Sequence, residues 1–144
     1  YGSTSVAALA VAAHEIGHVM QHQEGYIPIK IRNAILPAAS IGSTAAPYIV
    51  ILGAIMGSYN LAMIGVYLFL AMLIFQIVTL PVELNASSRG LEMLESGGYI
   101  SYDQRGDAKA VLKAAAMTYI VAALSTLVSF LRLLMIAGNS RRRN

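Results

Sequence analysis

The stretch LAMIGVYLFLAMLIFQIVTL, residues Leu61 to Leu80, contains no charged side chain. A helix of about 20 mainly apolar residues matches the thickness of the hydrocarbon core of a bilayer. Lipid cannot hydrogen-bond to an open backbone, so a segment of this kind has to satisfy its own hydrogen bonds as a helix. The stretch therefore predicts a transmembrane helix and restricts the chain to the folds of membrane proteins.

Two further windows are long and apolar enough to cross a bilayer, residues 36–57 and 114–137. The turn GSYN, Gly57 to Asn60, separates the first two windows, so these should form an antiparallel hairpin. The chain is 57% hydrophobic and only 12% charged, whereas a soluble domain carries about 25% charged residues. We expect an all-α, polytopic integral membrane protein with three transmembrane helices.

The segments outside these windows are also predicted to be helical. An alanine-rich helix precedes His22, and another helix, restarted or kinked at Pro81, continues to about Ser96. The sequence SYDQ, Ser101 to Gln104, is typical of a capping box that opens a long helix running into the third span. No strand pattern is persuasive. Beside its three spans, the fold should therefore contain the alanine-rich helix and interfacial helices.

Residues 1–144 are interpreted as a single membrane domain. Because the sequence starts at Tyr1 rather than at a methionine, we expect that an N-terminal part is missing. The absence of cysteine excludes a disulfide framework and a thiolate metal site. The net charge is +3, but the basic residues flank apolar spans, which favours membrane topology signals over nucleic-acid binding.

The distribution of basic residues also bears on orientation. Three crossings place six basic residues on the side of the alanine-rich helix and three, Arg141 to Arg143, on the other side. The positive-inside rule then favours a multi-pass protein of the cell membrane, here a bacterial plasma membrane, with a cytoplasmic active site. The concentrated arginine tail argues for the opposite orientation. The six residues are Lys30, Arg32, Arg89, Arg105, Lys109 and Lys113.

The alanine-rich helix contains the motif HExxH, as His14-Glu15-Ile16-Gly17-His18. Residues at positions i and i+4 lie on one helix face, so both imidazoles can bind a single zinc ion. Glu15 is rotated by about 100° from His14 and flanks the metal rather than binding it. From there it can act as general base towards a water molecule whose pKa zinc lowers to about 7.

A catalytic zinc site usually has three protein ligands, so a third is needed. His22 lies about 12 Å along the helix from His14, too far for both to bind one ion; it is assigned a surface or supporting role. Glu83, in PVELNASSRG, ends a polar stripe on the second span and is the preferred third ligand. Ser87, at i+4 from Glu83, is a candidate hydrogen-bond partner for a ligand. The rival carboxylates are Glu92, Glu95, Asp103 and Asp107.

These motifs resemble those of the bacterial YugP-type membrane zinc metallopeptidases. The resemblance covers nearly the whole chain and rests on AALAVAAHEIGHVMQH, a hydrophobic hairpin, PVELNASSRG and a terminal helix. More distantly, ELNAS is similar to the ExxAD-type segment of membrane gluzincins of the HtpX and CAAX-protease type, with Ser87 where the aspartate would be. The resemblance implies His14, His18 and Glu83 as zinc ligands, Glu15 as catalytic base, and an additional N-terminal span.

The sequence thus predicts a membrane-embedded zinc endopeptidase with membrane lipid and a protein or peptide substrate as partners, and no nucleic acid. The alternative is a non-catalytic subunit of a larger assembly whose zinc is structural, which would need a fourth protein ligand such as His22. Homo-oligomers and larger membrane complexes both stay open. An oxyanion-stabilising residue is also expected; His22, Arg89, Tyr99 and Tyr102 are chemically suitable, and the sequence does not rank them.

Overall fold

The structure is a computed structural model that describes the backbone of residues 2–143 and the side chains of residues 5–141. Over this part of the chain it contains helices and turns and no strand. The prediction of an all-α fold is confirmed. The four helices are α1 (Gly2–Glu24), α2 (Ile27–Ile55), α3 (Tyr59–Ser96) and α4 (Tyr102–Arg143).

Three of these helices are long and apolar enough to cross a membrane: Ile27–Ile55, Tyr59–Ser96 and Tyr102–Arg141. Their number and order confirm the three predicted spans. The first predicted window, 36–57, extends two residues past the end of α2, because a glycine turn intervenes. The side chains of Arg142 and Arg143, which belong to the predicted basic tail, lie outside the described residues.

Of the two alternatives predicted at Pro81, a restart or a kink, the restart is wrong, because the helix is uninterrupted there. Pro81 lies inside α3, so the second span and the Glu83 segment form a single element, and the predicted interfacial segments are extensions of the spanning helices. A proline removes one backbone hydrogen bond, but neighbouring groups can compensate for this loss in a membrane helix. Glu83 therefore lies on the same continuous helix as the span.

Glycines in the left-handed conformation end α1, α2 and α3. Gly25, Gly57 and Gly98 have φ angles of 68°, 68° and 75°. At Gly57 the backbone N–H donates to the carbonyl of Ala54, and the N–H of Ser58 donates to that of Gly53, which is the Schellman pattern. These three turns fix where each helix stops.

A capping box opens α4, as the sequence SYDQ predicts. The Ser101 backbone N–H donates to Gln104 Oε1 at 3.0 Å, and the Gln104 backbone N–H donates to Ser101 Oγ at 3.2 Å. Two N–H groups that would otherwise lack a helical partner are satisfied in this way. The start of α4 is therefore determined locally.

The chain divides into two compact units. Unit 1 comprises Tyr1–Lys30 and Val78–Ile120, and its buried core is formed by small and branched residues of α1, α3 and α4 with one residue of the preceding loop. These are Ala10, Ala13, Leu91, Ile100 and Ala108. Unit 1 contains every residue that the sequence nominates for chemistry.

Unit 2 comprises Ile31–Ile77 and Val121–Asn144. Within it, α2 and α3 approach closely at glycines: a Cβ added to Gly42 would lie 2.1 Å from the Leu68 carbonyl oxygen, and one added to Gly53 would lie 2.4 Å from Ala62 N. This contact is the predicted antiparallel hairpin. Large apolar side chains such as Tyr48 and Ile55 remain exposed, as expected for a surface that faces lipid.

Candidate metal centre

The centre is built on a close crossing of α1 and α3 within unit 1. Gly17 of α1 faces the backbone of Ala86, and Gly90 of α3 faces the backbone of Ala13. A Cβ on either glycine would lie 1.7 Å from the opposing carbonyl oxygen, so the two backbones are in direct contact. The pairing of 13 with 90 and 17 with 86 shows that the helices run antiparallel. Side chains next to these positions are forced together.

Three nominated side chains converge beside this crossing. His14 Nε2 lies 2.6 Å from Glu83 Oε2, and His18 Nε2 lies 3.4 Å from Glu83 Oε1. The two Nε2 atoms are 3.0 Å apart. Among the described residues, His14, His18 and Glu83 have ligand atoms that all lie within 4.8 Å of one another and could hold a metal ion. These three residues are here called the metal-binding group.

Gln21 determines which nitrogen of His18 carries the hydrogen. The Gln21 amide nitrogen donates to the Val82 carbonyl oxygen at 2.7 Å and to Asn85 Oδ1 at 3.1 Å. Its Oε1 therefore faces His18 Nδ1, at 2.9 Å, and can only accept a hydrogen bond. His18 Nδ1 must be the donor, so that in the neutral ring the lone pair lies on Nε2 and points at Glu83.

Ser87 contacts His14 in the same way that Gln21 contacts His18. Its Oγ lies 2.8 Å from His14 Nδ1, across the crossing of α1 and α3. A hydroxyl can accept the Nδ1 hydrogen and thereby leave the Nε2 lone pair free to face the group. Metal-binding histidines typically hold their second ring nitrogen in such a hydrogen bond, which fixes the tautomer and the ring orientation.

The arrangement fits a zinc ion. Both imidazole Nε2 atoms and a carboxylate converge, and a bound cation would stabilise this set of electron-rich atoms. Ligand atoms of tetrahedral zinc lie about 3.3 Å apart when the bond lengths are about 2.0–2.1 Å, and the two Nε2 atoms, 3.0 Å apart, are close to this separation. Glu83 is only 7% exposed, and an unpaired buried carboxylate would be costly.

A cavity of about 270 Å³, here called the metal-site cavity, opens beside this group. Glu15 lines it without belonging to the metal-binding group, and its side chain is exposed. Tyr119 of α4 also lines it, and the Tyr119 hydroxyl lies 3.5 Å from Glu83 Oε2. The full lining is Val11, His14, Glu15, Glu83, Ser87, Leu112, Ala115, Ala116 and Tyr119.

Other nominated residues are placed elsewhere. His22 is exposed, and within the described residues no hydrogen bond links its side chain to the metal-binding group. Arg89 forms an ion pair with Glu24 and lies over the Tyr26 ring at 5.1 Å. Neither residue lines the metal-site cavity.

The remaining candidates are also separate from this site. Tyr99 and Tyr102 are 74% and 80% exposed and do not line the metal-site cavity. Among the rival carboxylates, Glu95 pairs with Arg105 at 2.8 Å. Glu92, Asp103 and Asp107 are exposed, and the described metal-binding group does not include them.

Sequence reasoning missed two residues. Gln21 carried a signal, since it lies three positions after His18 on the same helix, where side chains are neighbours. Tyr119 carried none, because its position at the cavity depends on how α4 packs in unit 1.

Comparison with known proteins agrees with this geometry. The family model described as "Putative neutral zinc metallopeptidase" matches residues 1–138. The chain belongs to this family. The neutral zinc metallopeptidase family implies zinc as the metal, and its members are described as peptidases.

A curated relative supports the same assignment. The chain is 43% identical over 144 residues to "Putative membrane protease YugP" of Bacillus subtilis (strain 168). The match includes the whole chain but spans only 64% of the relative, so the relative is the longer protein. No solved structure matches the chain. The name of this relative refers to a membrane protein, and three helices of the present chain are long and apolar enough to cross a membrane.

The Gln21 contacts lead to a first prediction. Gln21→Met keeps the side-chain volume close to that of the wild type but removes the acceptor for His18 Nδ1, so we expect zinc affinity to fall by about 10- to 100-fold. Competition with a chromogenic chelator measures this change. Gln23→Met, at an exposed position on the same helix, should leave the affinity unchanged. Equal affinities in the two variants would contradict the role of Gln21.

Proposed function

We propose that this protein is a membrane-embedded, zinc-dependent endopeptidase. The observation that supports this best is the position of Glu15 on the same cavity as His14 and Glu83, two members of the group that could hold a metal ion. A metal-binding group and a free carboxylate that border one cavity are the parts that metal-assisted hydrolysis needs. His14, His18 and Glu83 are the proposed zinc ligands, and Glu15 is the proposed general base.

The chemistry can be assigned to named atoms. Zinc, when bound, supplies Lewis-acid activation of a water molecule and of the scissile carbonyl. The Glu15 carboxylate accepts one proton from the attacking water and delivers it to the amide nitrogen as the carbon–nitrogen bond breaks. One water is consumed, and a carboxylate and a protonated amine are released, because the second proton of the water also passes to the leaving nitrogen. Ser87 and Gln21 hold the two imidazole rings in the orientation that this requires.

A purely structural zinc site is less well supported. Structural sites normally use four protein ligands, whereas catalytic sites use three and keep one position open. The described metal-binding group has three members, and His22 is not among them. A structural site also does not require a carboxylate such as Glu15 on the same cavity. These points favour catalysis over a structural role.

The proposed cellular location rests on the apolar helices and on the comparison with the relative. We place the protein in the cell membrane as a multi-pass protein, on the basis of its three apolar helices and its relative's name. The cytoplasmic orientation of the active site rests on the basic residues alone. Association into homo-oligomers or larger complexes stays a prediction.

The proposed ligand set is tested by metal content. Elemental analysis of the purified protein in detergent should give about one zinc per chain, and Glu83→Ala should lower zinc affinity by more than about 100-fold, since even supporting residues contribute 10- to 100-fold. Glu92→Ala, at an exposed carboxylate on the same helix, is the matched control and should keep its zinc. Zinc retained in full by Glu83→Ala would contradict the third ligand.

A further inference from the structure

A second cavity in unit 1, of about 310 Å³, carries positive charge and is here called the cationic groove. Its lining residues are Leu84, Ser87, Ser88, Leu91, Arg105, Lys109, Leu112 and Lys113. We propose that this groove binds acidic side chains of the peptide substrate, next to the bond that is cleaved. This inference rests on the proposed peptidase function and specifies its substrate class.

The cationic groove adjoins the metal-site cavity. Ser87 of α3 and Leu112 of α4 line both cavities. The two cavities therefore share part of their wall, and both are bordered by α3 and α4. A peptide whose scissile bond lies at the metal-site cavity can extend past Ser87 and Leu112 into the groove.

The groove contains positive charge that the described part of the chain does not neutralise. Arg105 pairs with Glu95 at 2.8 Å, but no ion pair among the described residues engages Lys109 or Lys113. These two lysines are one helical turn apart, so they lie on the same face of α4. The lining includes no acidic residue. Charge complementarity thus favours a carboxylate-bearing occupant.

The remaining surface of the groove suits the rest of a peptide. Leu84, Leu91 and Leu112 supply apolar contacts for methylene groups, and Ser87 and Ser88 supply hydroxyls that can bond to a peptide backbone. A free metal ion or a small inorganic anion would use none of the apolar contacts. The combination is typical of a subsite that recognises an extended chain with acidic side chains.

The spacing along α4 predicts where the acidic residue should be. Ala116 lines the metal-site cavity, and Lys113 and Lys109 precede it by three and seven positions. At a rise of about 1.5 Å per residue, the lysines lie about 4.5 Å and 10.5 Å further along the helix. An extended peptide advances about 3.3 Å per residue. Acidic residues about one to three positions from the scissile bond should therefore be favoured.

The test uses matched fluorogenic peptides and the purified zinc-loaded protein in a neutral, lipid-free detergent. The peptides carry glutamate or glutamine at each position within three residues of the scissile bond. We expect kcat/KM to be about tenfold higher for the best glutamate peptide, since each exposed ion pair contributes only modestly. High salt should reduce this preference. The double variant Lys109→Glu and Lys113→Glu should abolish or reverse it.

Lys30→Glu, an exposed lysine of unit 1 outside the groove, is the control and should keep the preference. Equal rates on glutamate and glutamine peptides in the wild type would overturn the inference, as would a preference that survives the double substitution. Either result would then point to lysines that face phospholipid headgroups instead. Because the glutamine peptides report basal cleavage, failure to cleave any peptide would instead reject the proposed peptidase function.

Discussion

Glu15→Gln is expected to abolish peptide hydrolysis while zinc stays bound. The substitution keeps the shape of the side chain but removes the carboxylate that accepts a proton from water. General base catalysis typically contributes about 10²- to 10⁴-fold, so kcat should fall by at least about 10²-fold. Glu15 is exposed and outside the metal-binding group, so neither folding nor zinc content should change.

The contrast between Glu15 and Glu83 makes this result specific. Glu83→Ala should lose both zinc and activity, whereas Glu15→Gln should lose activity alone. The measurements are zinc per chain and single-turnover cleavage of a fluorogenic peptide. Glu24→Gln supplies the control: it makes the same chemical change on α1 outside the metal-site cavity and disturbs only an exposed ion pair with Arg89. Activity above about a tenth of wild type in Glu15→Gln would contradict the assignment.

Much of the fold could be predicted because lipid leaves the backbone few choices. The uncharged stretch from Leu61 to Leu80 has to be helical, and glycines mark the three turns. Pro81 shows the limit of such reasoning. A proline lacks one hydrogen-bond donor in any helix, but whether the helix continues depends on the neighbours that compensate, and these are set by tertiary packing.

In the metal centre, too, some features follow from the local sequence and others depend on tertiary packing. His14 and His18 were predictable because their spacing fixes them on one face of one helix. The polar stripe on α3 nominated Glu83 over its exposed rivals, although 65 residues separate Glu83 from His18. Gln21 and Tyr119 are different, since their importance lies in contacts to other helices. Gln21 is fully buried and links α1 to α3 through two hydrogen bonds, to Val82 and Asn85, while it accepts a third from His18 on its own helix. No spacing rule along a single helix describes the two bonds to α3.

Gly17→Ala and Gly90→Ala are each expected to prevent assembly of the metal centre. In a helix interior, alanine is normally more favourable than glycine by about 1 kcal/mol. Here the new methyl group would lie 1.7 Å from the carbonyl oxygen of the opposing helix. The obstructing atom is backbone, which cannot rotate aside, so α1 and α3 must separate. Inserting methyl groups into well-packed contacts costs about 1–3 kcal/mol, and a backbone clash should reach or exceed the upper end.

Whether alanine lowers or raises the stability distinguishes this backbone contact from general helix propensity. Gly106→Ala makes the same substitution in α4, where nothing lies within 4 Å of the added carbon, so it should be neutral or slightly stabilising. Thermal unfolding in detergent, followed by circular dichroism, should show a loss of about 10 °C or more for Gly17→Ala and Gly90→Ala. Zinc binding should fall with it, because His14, His18 and Glu83 are adjacent to the crossing. If both variants kept wild-type stability and zinc, the direct contact of the two backbones would be wrong, and with it the reason why these three side chains meet.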